Sequence, residues 1–247
     1  MRLSTFFTFG WTVAALAIAT GTQAAEAPTV DAILANYVTA MGGKAAHEKV
    51  TSRLTKIKIE SDAFGASEGE IYAKAPNKQV SHIVMTGAGA MDEGFDGAVA
   101  WAVNPWAPLR VKTGDELAKV KRDAEFHRDL KLKTLLPDLA FKGTEKVGEE
   151  EAYVLEAKPT ATSKEKLWFS AKSGLLLRQD SEFEGQQGAV KVSVMPQDYK
   201  TVEALKYPGA MKMKFSAGGQ EFEFTMKTVE IKHNEKIDDA KFAKPSA

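Results

Sequence analysis

The spacing of apolar residues along this chain changes period more than once. In PTVDAILANYVTAMGG, Val30, Ile33, Leu34, Tyr37, Val38 and Met41 recur at helical spacing. They predict an amphipathic helix from Pro28 to Met41, ended by Gly42 and Gly43. From Thr51 the period falls to two. TSRLTKIKIE, EGEIYAK, KQVSHIVM, AVAWAV and PLRVK read as short strands separated by Gly, Pro or Asn. A second helical stretch follows from Asp115 to Leu136, opened by a Thr113–Glu116 capping box and stopped near Pro137. Strand periodicity then returns in EEAYVLEAK, EKLWFS, GLLLRQDSEFE, AVKVSVM, GAMKMKFS and QEFEFTMKTVEIK. About eleven consecutive short strands without alternating helices predict a mainly β (α+β) architecture, an antiparallel sheet or barrel with a few added helices. No repeat or low-complexity linker divides the stretch from 25 to 247, which reads as one domain.

The segment GAMKMKFSAGGQEFEFTMK carries the most detailed expectation. Gly218-Gly219 suits a two-residue turn, whose central positions both want positive φ. That turn pairs Phe215 with Phe222, Met213 with Phe224 and Met211 with Met226, and sets Lys214 against Glu223 on the other face. One face is then wholly Met and Phe, too apolar to be left in water. It is either a core under a helix or a cavity wall that flexible methionines adapt to ligands of varied shape. GFDGAVAWAVNPWAPLR raises a similar question. Alternation puts Val99, Trp101 and Val103 on one face, and Asn104-Pro105 turns the chain to present Trp106.

Charge adds an exclusion. Lys+Arg and Asp+Glu both number 33, so nothing draws the chain to a phosphate backbone and no nucleic-acid partner is expected. Residues 1–24 have Arg2, an apolar run from Phe6 to Ala19 and small residues at Thr22, Ala24 and Ala25. They read as a signal peptide cut near Ala24, and no later segment is long and apolar enough to span a bilayer. An exported periplasmic protein follows, not an integral membrane one. With no cysteine, it has no disulfides and no N-terminal lipid anchor.

Several short motifs imitate chemistry. Gly65-Ala66-Ser67-Glu68-Gly69 matches GxSxG, but GEIYAK after it reads as a strand, so a hairpin turn explains it. His127-Arg128-Asp129-Leu130-Lys131 copies a kinase catalytic loop, yet Thr134 stands where the metal-binding Asn belongs. His47, His82, His127 and His233 show no metal-ligand spacing. Asp92, Glu93 and Asp96 are explained by a glycine-rich turn. No cofactor, metal or catalytic residue is expected.

ILANYVTAMGGKAA, EIYAKAPNK, EGFDGAVAWAVNP, LWFSAKSGLLLR and IKHNEKIDDAKFAKP, in that order, resemble the outer-membrane lipoprotein-sorting family, the LolA/LolB-like proteins. The marks are Asp96-Gly97 leading to Trp101 and Asn104-Pro105, Trp168-Phe169 before Ser173-Gly174, and Asp238 to Phe242. The resemblance implies a curved, incompletely closed antiparallel β-barrel whose helices form a lid over an interior that holds acyl chains. It makes Arg53, Arg110 and Arg178 candidates for a lid-locking arginine. The expected cavity or lid residues are Trp101, Trp106 and Phe95; Met211, Met213 and Phe215; Phe222, Phe224 and Met226; and Ile33 and Tyr37. The expected function is a carrier or binding protein for lipids, lipoprotein acyl chains or other hydrophobic ligands, in lipoprotein sorting or a related envelope role. Its partner is then a lipid or acylated protein. The alternatives are an envelope protein-interaction or stress-sensing module that binds an envelope protein, and an exported hydrolase using Ser67.

Overall fold

A computed structural model describes residues 27–62, 65–186 and 188–246. The predicted signal peptide lies outside the described residues. The first helix, α1 (Val30–Ala40), starts at Thr29, whose Oγ1 accepts from the Ala32 amide at 3.2 Å. It ends where Gly43 N donates to the Val38 carbonyl at 2.8 Å. Gly42 has φ +116°, and a Cβ there would lie 2.2 Å from the Ala204 carbonyl oxygen. Only glycine therefore fits, on both conformational and steric grounds. The one-turn α2 (Lys44–His47) follows.

A meander comes next: β1 (Ser52–Ser61), β2 (Gly65–Lys74), β3 (Lys78–Met85), β4 (Gly89–Phe95), β5 (Ala100–Asn104) and β6 (Ala107–Val111). Helices α3 (Gly114–Asp123) and α4 (Arg128–Leu135) lead to a second meander. It runs through β7 (Ala140–Val147), β8 (Glu150–Ala157), β9 (Lys164–Ser170), β10 (Leu176–Gly185) and β11 (Gly188–Gln197). A small hairpin of β12 (Lys200–Val202) and β13 (Leu205–Tyr207) precedes β14 (Ala210–Ala217) and β15 (Gln220–His233). A 3₁₀ turn, Asp239–Phe242, closes the described chain.

The main sheet has 13 antiparallel strands in the order β6-β5-β4-β3-β2-β1-β15-β14-β11-β10-β9-β8-β7. The two meanders join through β1 and β15, and β6 and β7 remain as free edges, so the barrel is incompletely closed as expected. The helical segment α3–α4 is the chain that connects one edge to the other.

The strand count exceeds the expected eleven or so. Strand β4 covers Asp92 and Glu93, which had read as part of a turn; its glycines and acids hide the alternation. Strand β7 is polar and bulged next to Gly143, so it shows little period-two signal. The hairpin of β12 and β13 has only three residues in each strand. The long second helix is broken in two, where the Phe126 amide donates to the Pro76 carbonyl at 2.9 Å. The capping box does not form. Thr113 is the N-cap residue without a side-chain bond, and Glu116 instead pairs with Arg110.

The largest core lies over β8, β9 and β10. Ile33, Tyr37 and Met41 of the first helical segment and Leu132 and Leu136 of the α4 segment pack on Leu155, Leu167, Phe169 and Leu176. Fully burying such side chains contributes roughly 1.5–3 kcal/mol each.

Candidate functional site

Cross-strand register decides which side chains share a face. Phe215 pairs with Phe222, Met213 with Phe224 and Met211 with Met226, while Lys214 faces Glu223. The turn is as expected, with Gly218 and Gly219 at φ 58° and 80°. Following the register outward, Phe215 lies beside Val192 and Ser181, and Met226 beside Ile59, Ser67 and Met85. The same face carries Phe95, through Gln79 and Ala73. Apolar side chains thus run across the middle of the sheet on one side.

This side is concave. Strands β4 and β10 are seven places apart in the sheet, about 34 Å if it were flat. Yet Phe95 of β4 and Phe183 of β10 line one cavity of about 320 Å³, together with Phe215 and Val190. The sheet therefore curls until its arms face each other, and α3 spans the gap. Leu117, Val120 and Ala124 of the α3 segment pack on Phe95 and Ala100. From its other side, Lys119 Nζ and Arg122 Nη2 reach Glu165 Oε1 on β9 at 3.8 and 3.7 Å.

Charged pairs ring the cavity. Arg110 makes a bidentate bond to Glu116 of α3, at 2.7 and 2.9 Å. This hydrogen-bonded pairing raises the arginine and lowers the carboxyl from their ordinary values. Lys112 Nζ pairs with Glu93 at 2.9 Å and Lys119 Nζ with Asp123 at 2.7 Å. Beneath α3 the buried Glu165 accepts from Ser181 Oγ at 2.7 Å and Gln179 Nε2 at 3.1 Å.

The residues expected to form the site divide into three groups. Phe95, Met211, Met213, Phe215, Phe222, Phe224 and Met226 share the concave face. Phe95 is buried at 1% exposure. The other six are only partly buried, and none belongs to a buried core cluster formed among the described residues. Ile33 and Tyr37 belong to the filled core under α1, where Tyr37 stacks near Phe169 and its hydroxyl donates to Asp129 at 2.8 Å. Burial first, then the neighbouring Asp129 carboxylate, pushes that hydroxyl well above the usual tyrosine value.

Trp101 and Trp106 are not brought to the cavity. Trp101 pairs with Gly94, one residue along from Phe95, and so points to the convex face. There it packs with Val80 and Phe242 at 3% exposure, and its Nε1 donates to the Phe242 carbonyl at 3.2 Å. Trp106 sits at the tip between β5 and β6, 63% exposed. Alternation grouped Trp101 correctly with Val103, but the C-terminal turn that covers them arrives from far along the chain.

Of the three arginines, Arg110 grips a helix over the cavity. Arg53 lies over Phe126 and Tyr207, and Arg178 stacks on Trp168 on the convex face. Ser67 is buried within β2 of an antiparallel sheet, with no strand-to-helix turn, so the GxSxG match lacks its nucleophile elbow. Burial lowers the His47 and His127 imidazoles, while His233 meets Tyr207 Oη at 2.9 Å. Among the described residues no group of three or more His, Asp or Glu is placed to hold a metal. The cavity's ion pairs and the facing Phe183 and Val190 escaped sequence reasoning; Arg110 carried the only signal, as one of three candidates.

The fold itself is LolA-like. A LolA superfamily protein from Nitrosomonas europaea matches with a TM-score of 0.54 at 15% identity, over 88% of this chain and 99% of that one. A DUF1329 family protein from Desulfovibrio piger matches with a TM-score of 0.52 at 14% identity, over 88% and 98%. No protein-family model and no curated protein matches the chain. Identities this low establish a shared architecture. Among the described residues no helix is long and apolar enough to cross a membrane.

Proposed function

We propose that this protein is an exported, periplasmic carrier or binding protein for lipids, acylated proteins or other molecules with an apolar chain. The observation that carries the reading is the Met/Phe row Met211–Phe215 and Phe222–Met226. These side chains line the concave face, only partly buried and outside the buried core clusters formed among the described residues. A row of this kind under a helix binds by burial, at about 0.8 kcal/mol per methylene, and needs no catalytic group. Helix α3 acts as the lid and Arg110 as its latch. The leader-like residues 1–24 support export.

Mass spectrometry of an organic extract from protein exported in its native host tests the reading. A stoichiometric lipid or acylated species is expected in the wild type and lost from Met213→Glu and Phe224→Glu. Clean extracts from folded wild-type protein, or normal loading of both variants, would overturn it.

A further inference from the structure

The carrier reading leaves the cargo's polar end unassigned, and the cavity's charges bear on it. Phe95, Val120, Ala124, Phe183, Val190 and Phe215 give the cavity its apolar lining. Its charged lining is three cations and three anions, each cation already paired. Arg110 is held by two bonds to Glu116, Lys112 by Glu93 and Lys119 by Asp123. Among the charged side chains that line the cavity no cation is left over. Arg122, just outside the lining, lies 3.7 Å from the buried Glu165, and its Nη2, itself buried, has no hydrogen-bond partner among the described residues.

A carboxylate or phosphate entering among these six lining charges meets no surplus positive charge. To pair with Arg110 it must displace Glu116, which is left as a second anion with its side chain largely buried. Breaking one partner out of a well-made, partly buried pair is strongly unfavourable. A cationic head meets the mirror problem at Glu116, Glu93 and Asp123. An uncharged polar head meets neither. The paired carboxylates keep free lone pairs and the Arg110 guanidinium keeps free N–H donors, so a hydroxyl, ester or amide can bond to them with every ion pair intact. A zwitterion adds equal charges of both signs and likewise leaves the balance undisturbed.

Resting on the carrier reading above, we infer that the cavity selects amphiphiles whose polar end carries no net charge. The apolar chain lies along the Met/Phe row, and the head sits at the ion-pair ring under α3.

Four twelve-carbon probes separate this inference from the reading beneath it. They are monolaurin (neutral), dodecylphosphocholine (zwitterionic), laurate (anionic) and dodecyltrimethylammonium (cationic), each used below its micelle concentration. Displacement of the neutral fluorophore N-phenyl-1-naphthylamine from the full mature chain gives their affinities. Monolaurin and dodecylphosphocholine are expected to bind about tenfold or more tighter than laurate and dodecyltrimethylammonium. In Glu116→Gln, which frees Arg110, laurate is expected to gain about tenfold on monolaurin. Glu93→Gln, which frees Lys112, provides the same test if the first variant fails to fold. Equal binding of all four heads, or an unchanged order in a folded variant, overturns the head-group inference and leaves the carrier standing. Failure of all four probes to bind overturns the carrier reading itself.

Discussion

A methyl group on residue 94 would lie 2.4 Å from the Trp101 ring, so the indole occupies the space where other residues keep a side chain. Gly94→Ala is therefore expected to lower stability by about 1–3 kcal/mol, the usual scale of overpacking, read as a lower melting temperature by circular dichroism. The partner of that indole is held from outside. Asp239 pairs with Lys74 at 2.7 Å and Lys78 at 2.8 Å, and these hydrogen bonds pull its carboxyl down to about 2. A carboxyl lowered on folding stabilises above its unfolded value near 3.8 and loses that contribution as pH falls through its folded value. The melting-temperature gap between wild type and Asp239→Asn is thus expected to be full above pH 5 and to close between pH 4 and pH 2. At this scale the sequence was legible where one turn set the geometry, as for Gly218-Gly219 and the pairs above it. It was illegible at Trp101, because alternation separates two faces without saying which of them a distant segment will cover.

The helices differ in how firmly they are seated. Helix α1 buries Ile33 and Tyr37 in the largest core, whereas α3 has no fully buried residue and is held by a half-buried seam and ion pairs. Native-state hydrogen exchange should therefore show α3 amides exchanging faster than those of α1, under conditions where the sheet stays protected. Equal protection of the two helices would count against α3 as the moving lid. Ile33→Ala is expected to cost roughly 2–5 kcal/mol in urea unfolding, while Val120→Ala should cost clearly less. The amphipathic pattern revealed α1 almost to the residue. The split between α3 and α4 lacked any Gly or Pro, since it is imposed by a bond to Pro76 rather than by local preference. Strand β4 was hidden for the same reason: its ladder partners make it a strand in spite of its composition.

An open curved sheet with a cavity between its arms stands to gain from whatever fills it. A ligand at a hundredfold excess over its Kd adds about 2.7 kcal/mol to the folded state. For a chain of this size that raises the melting temperature by about 5–10 °C, and monolaurin is expected to do so where laurate does much less. The architecture was readable from order alone, because consecutive strands without intervening helices leave few topologies. Closure was not. Nothing local in β6 or β7 marks them as the two free edges, and nothing in Phe95 or Phe183 tells that they face each other across a cavity.

The pairing of β1 with β15 has a consequence for timing. Every other neighbour in the main sheet is consecutive in sequence or skips only the small hairpin of β12 and β13, so each arm can assemble as it emerges. The join between arms waits for Gln220–His233, the final strand. Until a ribosome has delivered that strand, β1 keeps a bare edge and the two arms have no common sheet. The union of the halves is thus the latest contact the chain can make, long after the hairpins within each arm have been able to close.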